Sequence, residues 1–589
     1  MQSKFQSVTQ YFLNFNFDKN FFKFLLVLVS FIYSLYLTYL GAVWRIDPHH
    51  DGYTYISAYL GTLGILPPLT ANHHGIAAPL LESKFLLLTS TSLINYRFLA
   101  LMVICITALI LFKIINQRSG LLIASIFTLL WLNANPSWAG SIKGSPNQLQ
   151  SIWPNMWIQL LTVFAVLIIF SRNQVKNFHQ ITLGIVVCSL PFFRIQGLFT
   201  TIFLCALIYV KYRSHLYSFV ISGFFTLACW LSLIQVNGGI KRYFVNIIIN
   251  PFTVSDYAPW RSPESIFMNL GHKAKYFIVV SLLLLFFAMI ITLIKKYAYF
   301  NDGSNVLKEI TLLFVLAATI ILLTFQNRAI WWNSLYENFT ILLIDSTIII
   351  SFIYISLTLT RFVKLKNLSL NDHQKELLFL SFLVLLNVIN QFPLSDRGHK
   401  WWASAPSVLL LASLLTAKSN AKLNYWNKLD WASSLKLLAI FSILFSTLEG
   451  RIFQQINRIE IANYKYANFN GLQYPLKDSE SVDNLLSSVK ILTELENRGI
   501  TINYLCEDGL YHIRDKGYTE ESLTSLNKDI DNFPSVVTGV VFYCNAGIYQ
   551  LPSLLNFNVY TIGKNKTDLF IAPKNNVLVN SILLRLLNL

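Results

Sequence analysis

Charged residues are scarce in this chain: only 13% of its 589 residues are Asp, Glu, Lys or Arg, whereas 54% are apolar. A soluble protein has to cover its core with polar surface, and this chain has too little of it to cover a core that would include 45 Phe. The composition therefore excludes a string of soluble domains. It predicts an all-α polytopic membrane protein.

Cysteine is also rare, with six residues, and no pair has the spacing of a zinc or iron–sulfur site. The sequence contains neither a P-loop nor a recognisable nucleotide-sugar motif. We expect no cofactor. Although the net charge is +17, we also expect no nucleic-acid partner, because basic residues in a membrane protein first report topology.

Long apolar runs recur through residues 1–448. Taking about 15–20 apolar residues as one span, we predict about thirteen transmembrane helices. The first exceeds a signal-peptide core and lacks a cleavage site, so we interpret it as a retained helix. The predicted spans lie near 21–43, 97–115, 120–135, 156–171, 179–194, 197–212, 216–236, 276–296, 309–326, 339–360, 376–392, 403–417 and 432–448.

The basic surplus belongs to this membrane part. Residues 1–450 hold 33 Lys and Arg against 15 Asp and Glu, compared with 13 and 14 in residues 451–589. With the N-terminus in the cytoplasm, about 20 of the basic residues fall in the N-terminal tail and short cytoplasmic connections, as the positive-inside rule requires. We therefore predict a multi-pass protein of the cell (inner) membrane, with the long first loop, 44–96, on the external side.

The pattern changes from about residue 449. A helix-like stretch at 481–498 is followed by strand-like runs at 500–505, 536–543, 559–562 and 568–572, which predict a small α/β domain over 449–589. After an odd number of spans this domain is external or periplasmic. Cys506 and Cys544 each follow a strand-like run, and both a disulfide and two unpaired thiols fit an oxidising compartment.

The first external loop carries two carboxylates, Asp47 and Asp51, close to the end of a membrane helix. A low dielectric there lets a carboxylate act as a base. We expect Asp51 and Gly52 to form a tight turn, followed by a helix with Tyr55 and Tyr59 on one face. The alternative is that the carboxylates cap helix ends and the aromatic residues anchor the chain at the membrane interface.

This loop resembles the first external loop of the GT-C glycosyltransferases. The shared pattern is His49-His50-Asp51-Gly52, a helix of small residues and a later Gly/Pro-Leu element, here Gly75 and Pro79-Leu80. The likeness is greatest to the bacterial family grouped with dolichyl-phosphate-mannose mannosyltransferases, and it covers about residues 1–450. It implies a GT-C-like fold, a polyprenyl-phosphate-linked sugar donor and an acidic general base, which is Asp51 here with Asp47 as the fallback.

A second group of polar residues follows the eleventh span. Asp396, Arg397 and His399 precede two tryptophans, and the resembling family carries an Asp-x-x-His here. An Arg fork suits a pair of phosphate oxygens. The alternative is a belt of charged and Trp residues at the membrane interface.

A third candidate is Arg194, which together with Gln196 separates two apolar runs. A cation in such a place usually has a phosphate or carboxylate partner, although it can also snorkel to the interface. Lys143 and Arg328 are weaker candidates of the same kind. We group all of these with His50 as substrate-binding residues.

Histidines of the first loop offer an alternative metal site. His49, His50, His73 and His74 lie in the same loop as Asp51 and Glu82. Adjacent histidines on an extended segment point to opposite sides, so at most one of each pair could bind a given ion. We therefore favour chemistry without a metal.

These features predict a glycosyltransferase that moves a sugar from a polyprenyl-phosphate donor to a glycan, lipid or protein acceptor on the external face. One alternative is a transporter or flippase of lipid-linked glycans, but that class places ionisable residues near the membrane midplane in repeated halves. A polymerase or ligase of such glycans is another. The remaining alternative is a non-catalytic assembly protein.

Overall fold

The computed structural model describes part of the chain. In the membrane part, the described ranges are 48–64, 75–133, 152–171, 176–212, 216–245, 346–362, 370–389 and 397–416. In the C-terminal part they are 466–469, 472–475, 479–500, 502–505, 540–543, 557–562 and 568–587. A few isolated residues, such as Leu66, are described as well.

Two helices fold the first external loop: α1 (Pro48–Thr62) and α2 (Ala77–Leu88). Proline suits the first position of α1, since its missing N–H has no partner in a helix and its φ is already helical. The expected tight turn at Asp51 and Gly52 is therefore wrong, because both residues lie within the first turns of α1. His49 and His50 are helical too, not extended.

Helices occupy the predicted spans wherever the structure describes them. They are α3 (Leu93–Ser119), α4 (Leu121–Asn133), α5 (Pro154–Ser171), α6 (Asn177–Phe193), α7 (Gly197–Tyr212), α8 (Tyr217–Val236), the short α9 (Ile240–Phe244), α10 (Ser346–Phe362), α11 (Asp372–Val388), α12 (Arg397–Trp402) and α13 (Ala405–Thr416). Among them, α3 and α8 are long and apolar enough to cross a bilayer. The predicted spans at 276–296, 309–326 and 432–448, and nearly all of 21–43, lie outside the described residues.

Small residues let neighbouring helices approach closely. A Cβ on Gly184 of α6 would overlap the Ser222 hydroxyl of α8, and one on Gly223 of α8 would lie 2.9 Å from the Cys188 sulfur of α6. Close helix packing at small residues is the usual arrangement in membrane bundles. The opposite side of α8 exposes large apolar side chains, including Phe224 and Phe225.

Polar and charged side chains join the helix ends at one end of the bundle. Arg118, in the last turn of α3, pairs with Glu376, near the start of α11, and it donates to the carbonyl oxygen of Phe170. Lys211 of α7 donates to the neighbouring carbonyl of Ile169. We call this the Arg118 end. The ends of α3, α5 and α7 meet there, as the predicted alternation of spans requires, although the compartment stays a prediction.

Tryptophans join the opposite end, which we call the tryptophan end. Trp131, near the C-terminus of α4, stacks on Trp401 of α12 with 5.0 Å between ring centroids, and its carbonyl accepts from the Trp401 indole N–H at 2.9 Å. Trp153, just before α5, lies 5.0 Å from Trp402. The tryptophan end therefore holds α12 against α4 and α5.

The C-terminal part contains a hairpin and a mixed sheet. Strands β1 (Tyr466–Phe469) and β2 (Leu472–Pro475) pair antiparallel. After α14 (Ser479–Asn497) come β3 (Ile502–Leu505), β4 (Val540–Tyr543), β5 (Phe557–Ile562), β6 (Asp568–Pro573) and α15 (Val577–Leu586). The sheet has the order β3-β4-β6-β5, with β3 and β4 parallel and the other pairs antiparallel.

The strands of this sheet agree with the predicted runs, whereas the hairpin and α15 were not predicted. Phe542 and Phe570, from paired strands, are fully buried with 4.9 Å between their ring centroids. Asn580 of α15 accepts from the Tyr560 hydroxyl at 2.7 Å and so fastens the last helix to β5. Cys506 and Cys544 directly follow β3 and β4, and both lie outside the described residues.

Candidate functional site

Some predicted site residues are described and others are not. Asp51 and His50 lie in the first turns of α1, and Arg397 and His399 lie in α12. The structure describes the backbone of these four residues but not their side chains. Arg194 and Gln196 are fully described. Four predicted site residues lie outside the described residues: Asp47, Lys143, Arg328 and Asp396.

Arg194 lies at a break between two helices. It is the C-terminal cap of α6 and has an extended backbone (φ −164°, ψ 144°), and α7 begins three residues later. Its side chain is 8% exposed. A cation held in so little water has to be compensated by partners. The predicted break between the fifth and sixth spans is present at this position.

The geometry of this break has a local cause. Pro191, inside the last turn of α6, cannot donate the N–H that would bond to the carbonyl of Val187. The hydroxyl of Thr201, on α7, donates to that carbonyl at 2.8 Å instead. A Cβ on Gly197 would overlap the carbonyl of Leu190. The start of α7 is therefore fitted closely against the end of α6.

Gln196 lies in the turn between these helices. Its side chain is half-buried, and its Oε1 atom is buried and accepts no hydrogen bond from the described residues. A buried amide oxygen without a donor costs free energy. Gln196 therefore offers an acceptor next to the Arg194 cation.

The first external loop docks on this break through Gly75. Its N–H donates to the carbonyl of Phe193 at 3.0 Å. A Cβ on Gly75 would overlap the carbonyl group of Phe192, so only glycine fits there. The next residue, Ile76, donates its N–H to the hydroxyl of Tyr243, on α9, at 3.4 Å. The loop that contains Asp51 and the segment that carries Arg194 therefore meet at one end of the bundle.

Helix α1 is held to the bundle by aromatic contacts. Tyr55 lies one turn after Asp51, is buried, and donates its hydroxyl to the carbonyl of Thr91. Its ring lies edge-on to that of Tyr96, with 5.5 Å between centroids. Burial raises the pKa of the Tyr55 phenol above its ordinary value, and the nearby Tyr59 adds to the effect. Tyr55 therefore packs inside the protein and does not anchor an interface.

A buried carboxyl group lies between these elements. Glu82 of α2 is 3% exposed. Its Oε1 accepts from the indole N–H of Trp157, on α5, at 3.0 Å, and its Oε2 lies 3.2 Å from the hydroxyl of Tyr96, on α3. Burial raises the pKa of Glu82 from 4.5 to about 8, against the opposing effect of the two hydrogen bonds. Its position in the first loop did not reveal this role, since its partners come from distant segments.

Packing contacts of three tryptophans hold α12 in place. Trp401 and Trp402 are fully buried, and one ring face of Trp153 lies against Trp402. The backbone N–H of Ala405, at the start of α13, donates to the Gln159 side chain at 3.0 Å. These contacts fix α12, and with it the backbone of Arg397, against α5.

The described residues contain no group of three His, Cys, Asp or Glu side chains that could hold a metal ion. Of the ligands considered for the alternative metal site, Glu82 has both carboxyl oxygens engaged by Tyr96 and Trp157. His73 and His74 lie outside the described residues. The alternative metal site therefore gains no support from Glu82.

No protein-family model and no curated protein matches this chain. Its structure is similar to that of ArnT from Cupriavidus metallidurans bound to undecaprenyl phosphate, with 11% identity, a TM-score of 0.39, and coverage of 92% of this chain and 97% of that one. It is also similar to an Archaeoglobus fulgidus oligosaccharyltransferase in complex with Zn and sulfate, with 14% identity and a TM-score of 0.39, over 72% of this chain and 52% of that one.

Proposed function

We propose that this protein is a membrane glycosyltransferase of the GT-C type. It would move a sugar from a polyprenyl-phosphate-linked donor to an acceptor on the external face of the membrane. The observation that carries the proposal is the hydrogen bond from Gly75 to Phe193, next to Arg194. It brings the loop with the candidate base and the helix break with the candidate phosphate ligand to the same end of the bundle.

In the proposed reaction, Asp51 accepts a proton from an acceptor hydroxyl as that oxygen attacks the anomeric carbon. The new glycosidic bond forms while the bond from the anomeric carbon to the lipid phosphate breaks, and the phosphate leaves with the electron pair. The configuration at that carbon is inverted. Transfer therefore needs a base on one side of the sugar and positive charge on the other.

Arg194 is the residue proposed to stabilise the departing phosphate. Its guanidinium can donate two parallel hydrogen bonds to phosphate oxygens, and its near-complete burial strengthens electrostatic attraction by excluding water. Gln196, as a half-buried amide, would bind a neutral part of the donor. We include Arg397 and His399 in this site because α12, the helix that carries them, packs at the same end of the bundle.

The location follows from the same proposal. We place the tryptophan end on the external side of the cell membrane, the Arg118 end and N-terminus in the cytoplasm, and residues 449–589 outside. Labelling of single introduced cysteines with an impermeant maleimide in whole cells tests this. Ser90→Cys should react in intact cells and Lys375→Cys only after permeabilisation, and the reverse pattern would contradict the orientation.

Transfer itself is tested with the full-length purified protein in liposomes. Radiolabelled sugars on undecaprenyl phosphate and on shorter polyprenyl phosphates are supplied with total membrane lipid and glycan extracts as acceptors. Release of free polyprenyl phosphate together with a labelled product supports the proposal. Movement of intact donor across the bilayer without cleavage would identify a flippase instead.

A further inference from the structure

We propose that Glu82 is a positioning residue of the candidate active site, held in its protonated form, whose carboxyl group joins the first external loop to the helices that carry Arg194 and Arg397. This inference rests on the proposed function. It concerns a residue that touches none of the reacting atoms in the reaction above.

The Tyr96 hydroxyl has one proton and two acceptors within reach. The Tyr96 hydroxyl lies 3.2 Å from Oε2 of Glu82 and 3.1 Å from the carbonyl oxygen of Ile152. A hydroxyl has one proton, so it can donate to one of these two acceptors. If Glu82 is ionised, Tyr96 has to serve two acceptors with a single donor.

A protonated Glu82 completes the network. Its O–H donates to the Tyr96 oxygen, which releases the Tyr96 proton for the carbonyl of Ile152, while the indole N–H of Trp157 donates to Oε1 of Glu82. Each polar atom then has a partner, as buried polar groups require. Burial supports the same state, since it raises the pKa of Glu82 to about 8.

Both hydrogen-bond partners connect Glu82 to candidate site elements. The ring of Trp157 packs on Phe193, with 5.9 Å between centroids, and Phe193 directly precedes Arg194. On the other side, Tyr96 bonds to Ile152, whose neighbour Trp153 packs on Trp402 at the end of α12. The Glu82 carboxyl group therefore holds α2 to Trp157, which packs next to Arg194, and to Tyr96, which bonds next to Trp153.

The carboxyl group of Glu82 contacts the phenol of Tyr96 and the indole of Trp157, which does not titrate. The elements packed around α2 carry cations and phenols, and α1 also carries histidines and the candidate base. These groups include His49, His50, Asp51, Tyr55 and Tyr59 on α1, Lys84 on α2, Arg97 on α3 and Arg194 at the end of α6. A pH effect on transfer is therefore assigned to Glu82 only where it is absent from Glu82→Gln.

The test compares Glu82→Gln with Glu82→Ala in the liposome transfer assay, from pH 6 to about 9.5. Gln reproduces the protonated network, because its amide N–H donates to Tyr96 and its oxygen accepts from Trp157. We expect Glu82→Gln to keep transfer within about 3-fold of the wild type at pH 7 and Glu82→Ala to lose about 10-fold or more. Wild-type transfer should fall above pH 8, and this fall should be absent from Glu82→Gln.

Three results would overturn the inference. They are a folded Glu82→Gln protein as inactive as Glu82→Ala, a Glu82→Ala protein as active as the wild type, and the same loss above pH 8 in Glu82→Gln as in the wild type. Thermal unfolding of the full chain provides a readout that needs no substrate. The wild type should lose unfolding temperature relative to Glu82→Gln as pH rises from 5 to about 8.

This second readout separates the two proposals. If the wild type transfers no sugar but its unfolding shows the pH difference, the glycosyltransferase proposal fails and the protonated network stands. If transfer is observed but the unfolding temperatures of wild type and Glu82→Gln run parallel across this pH range, the inference about Glu82 fails alone.

Discussion

The backbone N–H of Gly75 donates to the carbonyl of Phe193 at 3.0 Å, and Phe193 directly precedes Arg194. This bond fixes the relation between the first external loop and the break between α6 and α7. The backbones pass so close together that a side chain on Gly75 would overlap the carbonyl of Phe192. The position of the first external loop and the position of Arg194 therefore depend on each other.

Gly75→Ala should separate the loop from the α6 end, because the added Cβ cannot be placed without moving one backbone. A shift of about 1 Å at this contact can lower transfer about 10²-fold. The measurement is the transfer rate of a variant whose elution profile in detergent matches the wild type. Leu88→Ala, at an exposed position of α2, is the control and should keep wild-type transfer. Full activity of Gly75→Ala would show that this docking has no functional consequence.

Arg194→Lys tests the proposed phosphate contact. Lysine keeps the positive charge but loses the paired donors of the guanidinium, so we expect transfer to fall about 10-fold or more, with weaker binding of undecaprenyl phosphate. The control is Arg361→Lys, at an exposed position of α10. If both variants bind and transfer like the wild type, Arg194 only fills space at the helix break.

The Arg118 end should behave differently, since we assign it a structural role. Glu376 pairs with Arg118 and accepts from Ser413 at 3.3 Å. Removing one partner of a partly buried ion pair leaves the other charge uncompensated, and Glu376→Ala should cost about 2–4 kcal/mol of stability. At a temperature where the variant stays folded, its transfer rate should match the wild type. Loss of transfer without loss of stability would place this end in the catalytic cycle.

Local features of the sequence predicted much of the bundle and of the C-terminal sheet. Apolar runs predicted the positions of α3 to α8, α10, α11 and α13, and a lone Arg before Gly197 marked the break at Arg194. Strand-like runs matched β3 to β6. These signals are local, since each depends on neighbouring residues along the chain.

Contacts between residues far apart in the chain could not be predicted from the sequence, for a physical reason. Glu82 meets Tyr96 and Trp157 from positions 14 and 75 residues away, and such pairings are set by packing that no local pattern reports. The helical state of Asp51 and Gly52 was missed because an Asp-Gly pair usually favours a turn, whereas Pro48 at the start of α1 favours a helix. Asp47, Lys143, Arg328 and Asp396 stay predictions.

Asp51 is the residue proposed to act as the base of the sugar transfer. The most direct measurement is the rate of sugar release from polyprenyl-phosphate donors by Asp51→Asn in liposomes. Asp372→Asn, at an exposed position in the first turn of α11 at the Arg118 end, is the matched control. We predict a fall of about 10²-fold or more for Asp51→Asn, with donor binding retained and the control unaffected. A folded Asp51→Asn protein that transfers sugar at the wild-type rate would show that Asp51 is not the base.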